Sequence, residues 1–122
     1  MVELSLKLFH IVWIIATTML IHELGHIAVA HCCRVEIKRI GISRSGLYVQ
    51  RARTSGWPEI AICMAGVASN FAVAFLFWRC GHLFALCNLS FAWVNLLPIP
   101  HSDGTHALQA LRSMQQQEAK QQ

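Results

Sequence analysis

Three long runs of apolar residues dominate the chain: Leu4 to about Cys33, Trp57 to Trp78, and about Leu83 to Leu97. Each is near the roughly 20 residues that an α-helix needs to cross about 30 Å of hydrocarbon, and together they predict three transmembrane helices. The first run has no Gly or Pro before Gly25, so one uninterrupted helix is expected through Ala30. The second opens with Pro58 and Glu59 in its first turn and is bracketed by Trp57 and Trp78, a spacing suited to both membrane interfaces. The third ends at Pro98 and Pro100, which cannot both continue a helix. Between the first two runs the pattern changes to β-rich stretches, Val35-Glu36-Ile37-Lys38 with Ile40 and Ile42, then Leu47-Tyr48-Val49-Gln50. With Ser43-Arg44-Ser45-Gly46 as the break, a β-hairpin is predicted over about 35–51. After the prolines a helical pattern resumes from Thr105 to about Met114, and 115–122 is a polar tail expected to fray. Residues 1–114 then form one domain, with spans of about 4–33, 57–78 and 83–97.

Composition makes this a membrane protein, mainly α. Of the 122 residues 55% are hydrophobic and 13% charged, against roughly 25% charged in an ordinary soluble domain. The first run is too long for a secretory signal and lacks its small-residue cleavage site, so it reads as a retained span. The net charge of +4 does not point to nucleic acid. Six of the ten Lys and Arg, namely Arg34, Lys38, Arg39, Arg44, Arg51 and Arg53, fall in the single connection between the first two spans. By the positive-inside rule that connection and its hairpin are cytoplasmic, as is the carboxyl tail. The amino terminus and the Arg79-Cys80-Gly81-His82 turn are then outside, in a multi-pass cell-membrane topology. The five cysteines have no Cys-x-x-Cys spacing and read as small buried hydrophobes.

The chemistry is concentrated in a few polar residues. His22-Glu23-Leu24-Gly25-His26 is an H-E-x-x-H pattern. Residues four apart on a helix share a face, so His22 and His26 can ligate one zinc while Glu23 serves as general base to a metal-activated water. Inside a membrane such a cluster is costly unless it pairs, binds metal or lines a wet cavity. A catalytic zinc needs three protein ligands and an open fourth position. Asp103 is the only carboxylate between Glu59 and Glu118, and it follows the helix break, where unwound backbone could aim it at the metal. Asn70, one turn beyond Gly66, is either packing glue or a residue lining the active site. Asn95 and Asn70 are candidates to hydrogen-bond a substrate backbone or the oxyanion. His10, His31 and His82 read as interfacial or loop residues, and His101 and His106 flank Asp103 and are alternative ligands to it.

His22 to His26, Gly66 to Asn70, and the run from Asn95 to Gly104 together resemble the three signatures of the site-2 protease family of intramembrane zinc metalloproteases. The resemblance covers about residues 5–112. It implies a three-helix core, a zinc held by His22, His26 and Asp103, and peptide-bond hydrolysis in or near transmembrane segments of membrane-protein substrates. Ser102 stands where the family usually has leucine, and Ala65 precedes Gly66 where a Gly-Pro pair is common. A second reading, from another class, is a non-catalytic zinc-binding scaffold or protease-like regulator. Intact Glu23 weighs against it, because a structural zinc site has no use for a base. So small a core leaves room for pairing with itself or with a membrane regulator.

Overall fold

The computed structural model describes residues 1–44 and 46–121. Ser45, in the expected turn, and Gln122, in the expected tail, lie outside the described residues. The elements run α1 (Val2–Cys32), β1 (Ile37–Ser43), β2 (Gly46–Arg51), α2 (Trp57–Phe77), α3 (His82–Leu96) and α4 (Asp103–Ala119). The expectation of three spanning helices needs correction. Among the described residues there are four helices, and only α1 and α2 are long and apolar enough to cross a membrane. At 15 residues, α3 is about 22 Å long at ~1.5 Å per residue, because Gly81 and the Leu97-Pro98 junction cut it at both ends. The polar stretch after Met114 continues α4 to Ala119.

The outward faces of α1 and α2 are apolar as well as exposed: Phe9, Trp13, Phe75 and Leu76 all point away from the protein. Large apolar side chains have no reason to face water in such numbers, and with the length of both helices this makes the chain a membrane protein. The inward faces are lined by small residues. Helix α2 is central and packs against α1, α3 and α4. Its Ala65, Gly66, Val67, Asn70 and Ala74 are buried. A Cβ on Gly25 of α1 would collide with the Ser69 hydroxyl and would lie 2.7 Å from the Ala65 carbonyl oxygen. The two helices therefore touch backbone to backbone, as dispersion-driven packing in a bilayer requires.

Helix α1 ends in a Schellman motif: Arg34 N–H donates to His31 O at 3.0 Å and Val35 N–H to Ala30 O at 2.8 Å. Arg34 takes the left-handed conformation there, with φ of 57°, and the chain reverses. The antiparallel hairpin pairs Ile40 with Val49, Gly41 with Tyr48 and Ile42 with Leu47. Gly46, at φ 111°, packs on Met19 so closely that a Cβ would overlap the Met19 side chain. Met19 lies thirteen residues before Cys32, about 20 Å down the helix. The hairpin, expected at the face of the membrane, thus folds back along α1 and brings its tip within one turn of His22. Arg51 at its root clamps Glu59 in the first turn of α2 through two hydrogen bonds of 2.8 and 2.6 Å. That bond raises the Arg51 pKa above its ordinary value against the effect of partial burial, and the strap stays ionised.

Gly25→Leu is expected to destabilise the protein by about 1–3 kcal/mol, the usual cost of overpacking, and to lower the thermal unfolding midpoint in detergent. Leu24→Ala, on the exposed side of the same turn, serves as control. Equal midpoints for the two variants would contradict the close crossing of α1 and α2.

Candidate metal centre

His22 and His26 lie one turn apart on α1 and present their rings on the same side. The face of α2 opposite them is Gly66, where a Cβ would sit 2.5 Å from His26 Nε2 and 2.8 Å from His22 Cε1. No side chain fits there while the rings hold their places. His26 Nδ1 is 2.6 Å from the Ile62 carbonyl oxygen. A carbonyl can only accept, so Nδ1 carries the proton and Nε2 is left with a lone pair for a metal.

The third donor comes from the reversal between α3 and α4. Leu97 leaves α3 extended, Pro98 and Pro100 keep the chain from resuming the helix, and His101 turns it through a left-handed conformation at φ 68°. Ser102 then caps α4. Its hydroxyl accepts from Thr105 N–H at 3.2 Å and donates to Leu97 O at 2.6 Å, so the departure at this position carries out a capping role that leucine could not. Asp103 follows in the first turn of α4, where the helix dipole favours a carboxylate. A Cβ on Gly104 would strike the Leu96 carbonyl oxygen. Glycine there lets α4 seat against the end of α3 and turns Asp103 toward α1.

Asp103 Oδ2 lies 2.8 Å from His22 Nε2 and 3.2 Å from His26 Nε2, and the two nitrogens are 3.1 Å apart. Three ligands of a tetrahedral zinc with bonds of ~2.0–2.1 Å are separated by about 3.3 Å. The three donors form such a triangle, and their side chains are only 4%, 12% and 18% exposed. A nitrogen, nitrogen and oxygen set of this size fits zinc.

The triangle borders a cavity of about 870 Å³ that Glu23, Asn95, His101 and His106 also line. Glu23 is half-buried beside the donors and outside their triangle. Asn95 donates to Phe91 O at 3.0 Å and keeps its place on the cavity wall. Asn70 is not brought there. It is wholly buried on α2, facing the helix interior, because the turn that places Gly66 against the histidines places Asn70 one turn deeper. His101 and His106 are exposed in the cavity and lie outside the set of close donors among the described residues. Sequence reasoning missed two contributors. Tyr48 and Gln50 of β2 also line the cavity, and the Arg51–Glu59 strap holds that strand to α2. Opposite charges flanking the start of the second apolar run were the available signal for the strap.

Gly66→Ala should displace both imidazoles and reduce divalent-metal affinity about 10-fold or more, with helicity unchanged by circular dichroism. Wild-type affinity in this variant, measured by chelator competition, would show that Gly66 does not set the ring positions.

No family model matches the chain. It is 34% identical over 110 residues to stage IV sporulation protein FB of Bacillus subtilis (strain 168), an alignment covering 80% of this chain and 38% of that protein. Its fold is similar to the solved structure of the site-2 protease from Methanocaldococcus jannaschii, with a TM-score of 0.72 and 24% identity, over 83% of this chain and 53% of that one. The chain thus spans well under half of the first protein and about half of the second. The sequence signatures resemble those of the site-2 protease family, and the fold is similar to that of a solved site-2 protease.

Proposed function

We propose that the protein is an intramembrane zinc metalloprotease that hydrolyses peptide bonds within or beside transmembrane segments of other membrane proteins. The observation that carries this reading is the triangle of His22, His26 and Asp103 on the wall of a cavity that also holds Glu23. His22 Nε2, His26 Nε2 and an Asp103 oxygen would hold the metal. The chemistry zinc supplies when bound is polarisation of a carbonyl and a lower pKa for water. Glu23 accepts the proton of the attacking water and returns it to the leaving amine. Asn95, on the cavity wall, hydrogen-bonds the substrate backbone or the oxyanion.

A helical substrate hides its carbonyls in hydrogen bonds and must be unwound before it can be cut. In the two-stranded hairpin β2 pairs with β1 on one side, and its residues line the cavity. Its other edge offers backbone groups to an extended segment by strand addition. The Arg51–Glu59 strap fixes that edge relative to the metal ligands on α1.

The reading includes an orientation, with the hairpin root and carboxyl end cytoplasmic, drawn from the six basic residues between Arg34 and Arg53. A single cysteine in place of Lys38, in a chain otherwise free of cysteine, should resist an impermeant thiol reagent in intact cells and react after lysis. Strong labelling from outside would reverse the topology.

The activity is tested with purified wild type and two variants, measuring zinc stoichiometry and cleavage of single-span peptides. Glu23→Gln should keep zinc while cleavage falls about 10²–10⁴-fold, as for a lost general base. Asp103→Ala should lose both, because two histidines alone leave the site incomplete. Zinc binding by the wild type without cleavage of any peptide would favour the scaffold reading. Zinc retention by Asp103→Ala would remove Asp103 from the ligand set.

A further inference from the structure

The proposed metal site asks more of His22 than the triangle supplies. A histidine that ligates through Nε2 carries its proton on Nδ1, and that N–H needs an acceptor. For His26 the acceptor is the Ile62 carbonyl. His22 Nδ1 is buried and has no hydrogen-bond partner among the described residues. The same holds for three other side-chain atoms: Asn70 Nδ2, Asn70 Oδ1 and Asn88 Oδ1. Asn70 and Asn88 are both 0% exposed. A buried carboxamide with neither end engaged is rare, since its desolvation goes uncompensated.

Helix register places these residues on neighbouring turns. Gly66 of α2 abuts the His22 ring, and Asn70 lies one turn further along the same face. On α3, Phe91 packs edge-on against His22 with ring centroids 5.0 Å apart, and Asn88 lies one turn before it. Asn88 is tied to α1 one turn before His22, where its Nδ2 donates to the Thr18 hydroxyl at 3.2 Å and to Phe84 O at 2.9 Å. That leaves Asn88 Oδ1 as an acceptor. Three helices thus contribute unpartnered buried atoms within one turn of the contacts that Gly66 and Phe91 make with the His22 ring: one N–H of His22 to satisfy and two amide oxygens able to satisfy it.

We propose that Asn70 is the positioning residue of His22. One buried water accepts the Nδ1–H and donates to the amide oxygens of Asn70 and Asn88, the three bonds usual for an internal water. This inference rests on the zinc reading above and assigns Asn70 a role away from substrate. The bridge holds His22 in the tautomer that exposes the Nε2 lone pair and fixes the plane of the ring. It also explains why an amide stands on the most buried face of α2, in a bilayer that penalises it.

The test compares wild type with Asn70→Leu and Asn70→Asp in detergent micelles. Asn70→Leu, similar in volume and without an acceptor, should lower zinc affinity about 10–100-fold, the loss typical of a missing second hydrogen-bond partner. Its thermal midpoint in the metal-free state should be equal to wild type or higher. Asn70→Asp, which keeps the acceptor, should hold affinity within about threefold. Nitrogen-15 spectra of histidine-labelled protein should show one His22 signal of the Nδ1–H tautomer in wild type and Asn70→Asp, and a tautomer mixture in Asn70→Leu. A purely structural Asn70 would move the thermal midpoint and leave both affinity and tautomer alone, which would overturn the proposal. Equal losses in Leu and Asp variants would overturn it as well. Failure of the wild type itself to bind zinc is a different result, and it removes the metal reading together with this one.

Discussion

The close approach of α2 to α1 is the constraint on which the rest of the structure depends. Gly25 cannot carry a side chain without striking α2, and Gly66 cannot carry one without striking the two imidazoles. Both glycines weaken their helices by roughly 1 kcal/mol each relative to alanine. What they allow is backbone contact, which brings the Ile62 carbonyl within 2.6 Å of His26. The ring is then oriented by a main-chain group that cannot rotate away. Gly104 plays the same part at the other end of the site, where it lets Asp103 approach from α4.

Most polar groups in the interior are held by a partner on a different element or face the cavity, and the Asn70 amide is the exception. His22 and His26 on α1 meet Asp103 on α4, Asn88 on α3 meets Thr18 on α1, and Glu59 on α2 meets Arg51 of the hairpin. Apolar packing between membrane helices is weakly directional, because lipid tails offer much the same contacts. These cross-helix hydrogen bonds set rotation and register where packing alone would not. They also make the four helices one unit around the cavity, since none satisfies its buried polar groups by itself.

The hairpin is the least helical part of the chain and sits where irregular backbone is tolerated at membrane depth, against protein and over a polar cavity. Three local features put it there. Arg34 reverses the chain at the end of α1, Tyr48 covers the space beside Gly41, and Gly46 allows the tip to lie on Met19. With Arg51 pinned to Glu59, β2 becomes a fixed wall of the cavity that His22, His26 and Asp103 also border.

Much of this was legible in the chain alone. Apolar run length marked α1 and α2, because spanning a bilayer imposes a length. H-E-x-x-H marked His22, Glu23 and His26, because helical periodicity is fixed by the backbone. The isolation of Asp103 after Pro98 and Pro100 singled out the carboxylate that joins the two histidines, because a carboxylate in apolar surroundings demands a partner. The shortness of α3, the start of α4 at Asp103 and the inward fold of the hairpin were decided by contacts between residues far apart in sequence, and no local pattern encodes those. Asn70 draws the line most sharply. Its residue type and span show that it needs a partner, and only the packing of the helices determines that it is wholly buried and does not line the cavity.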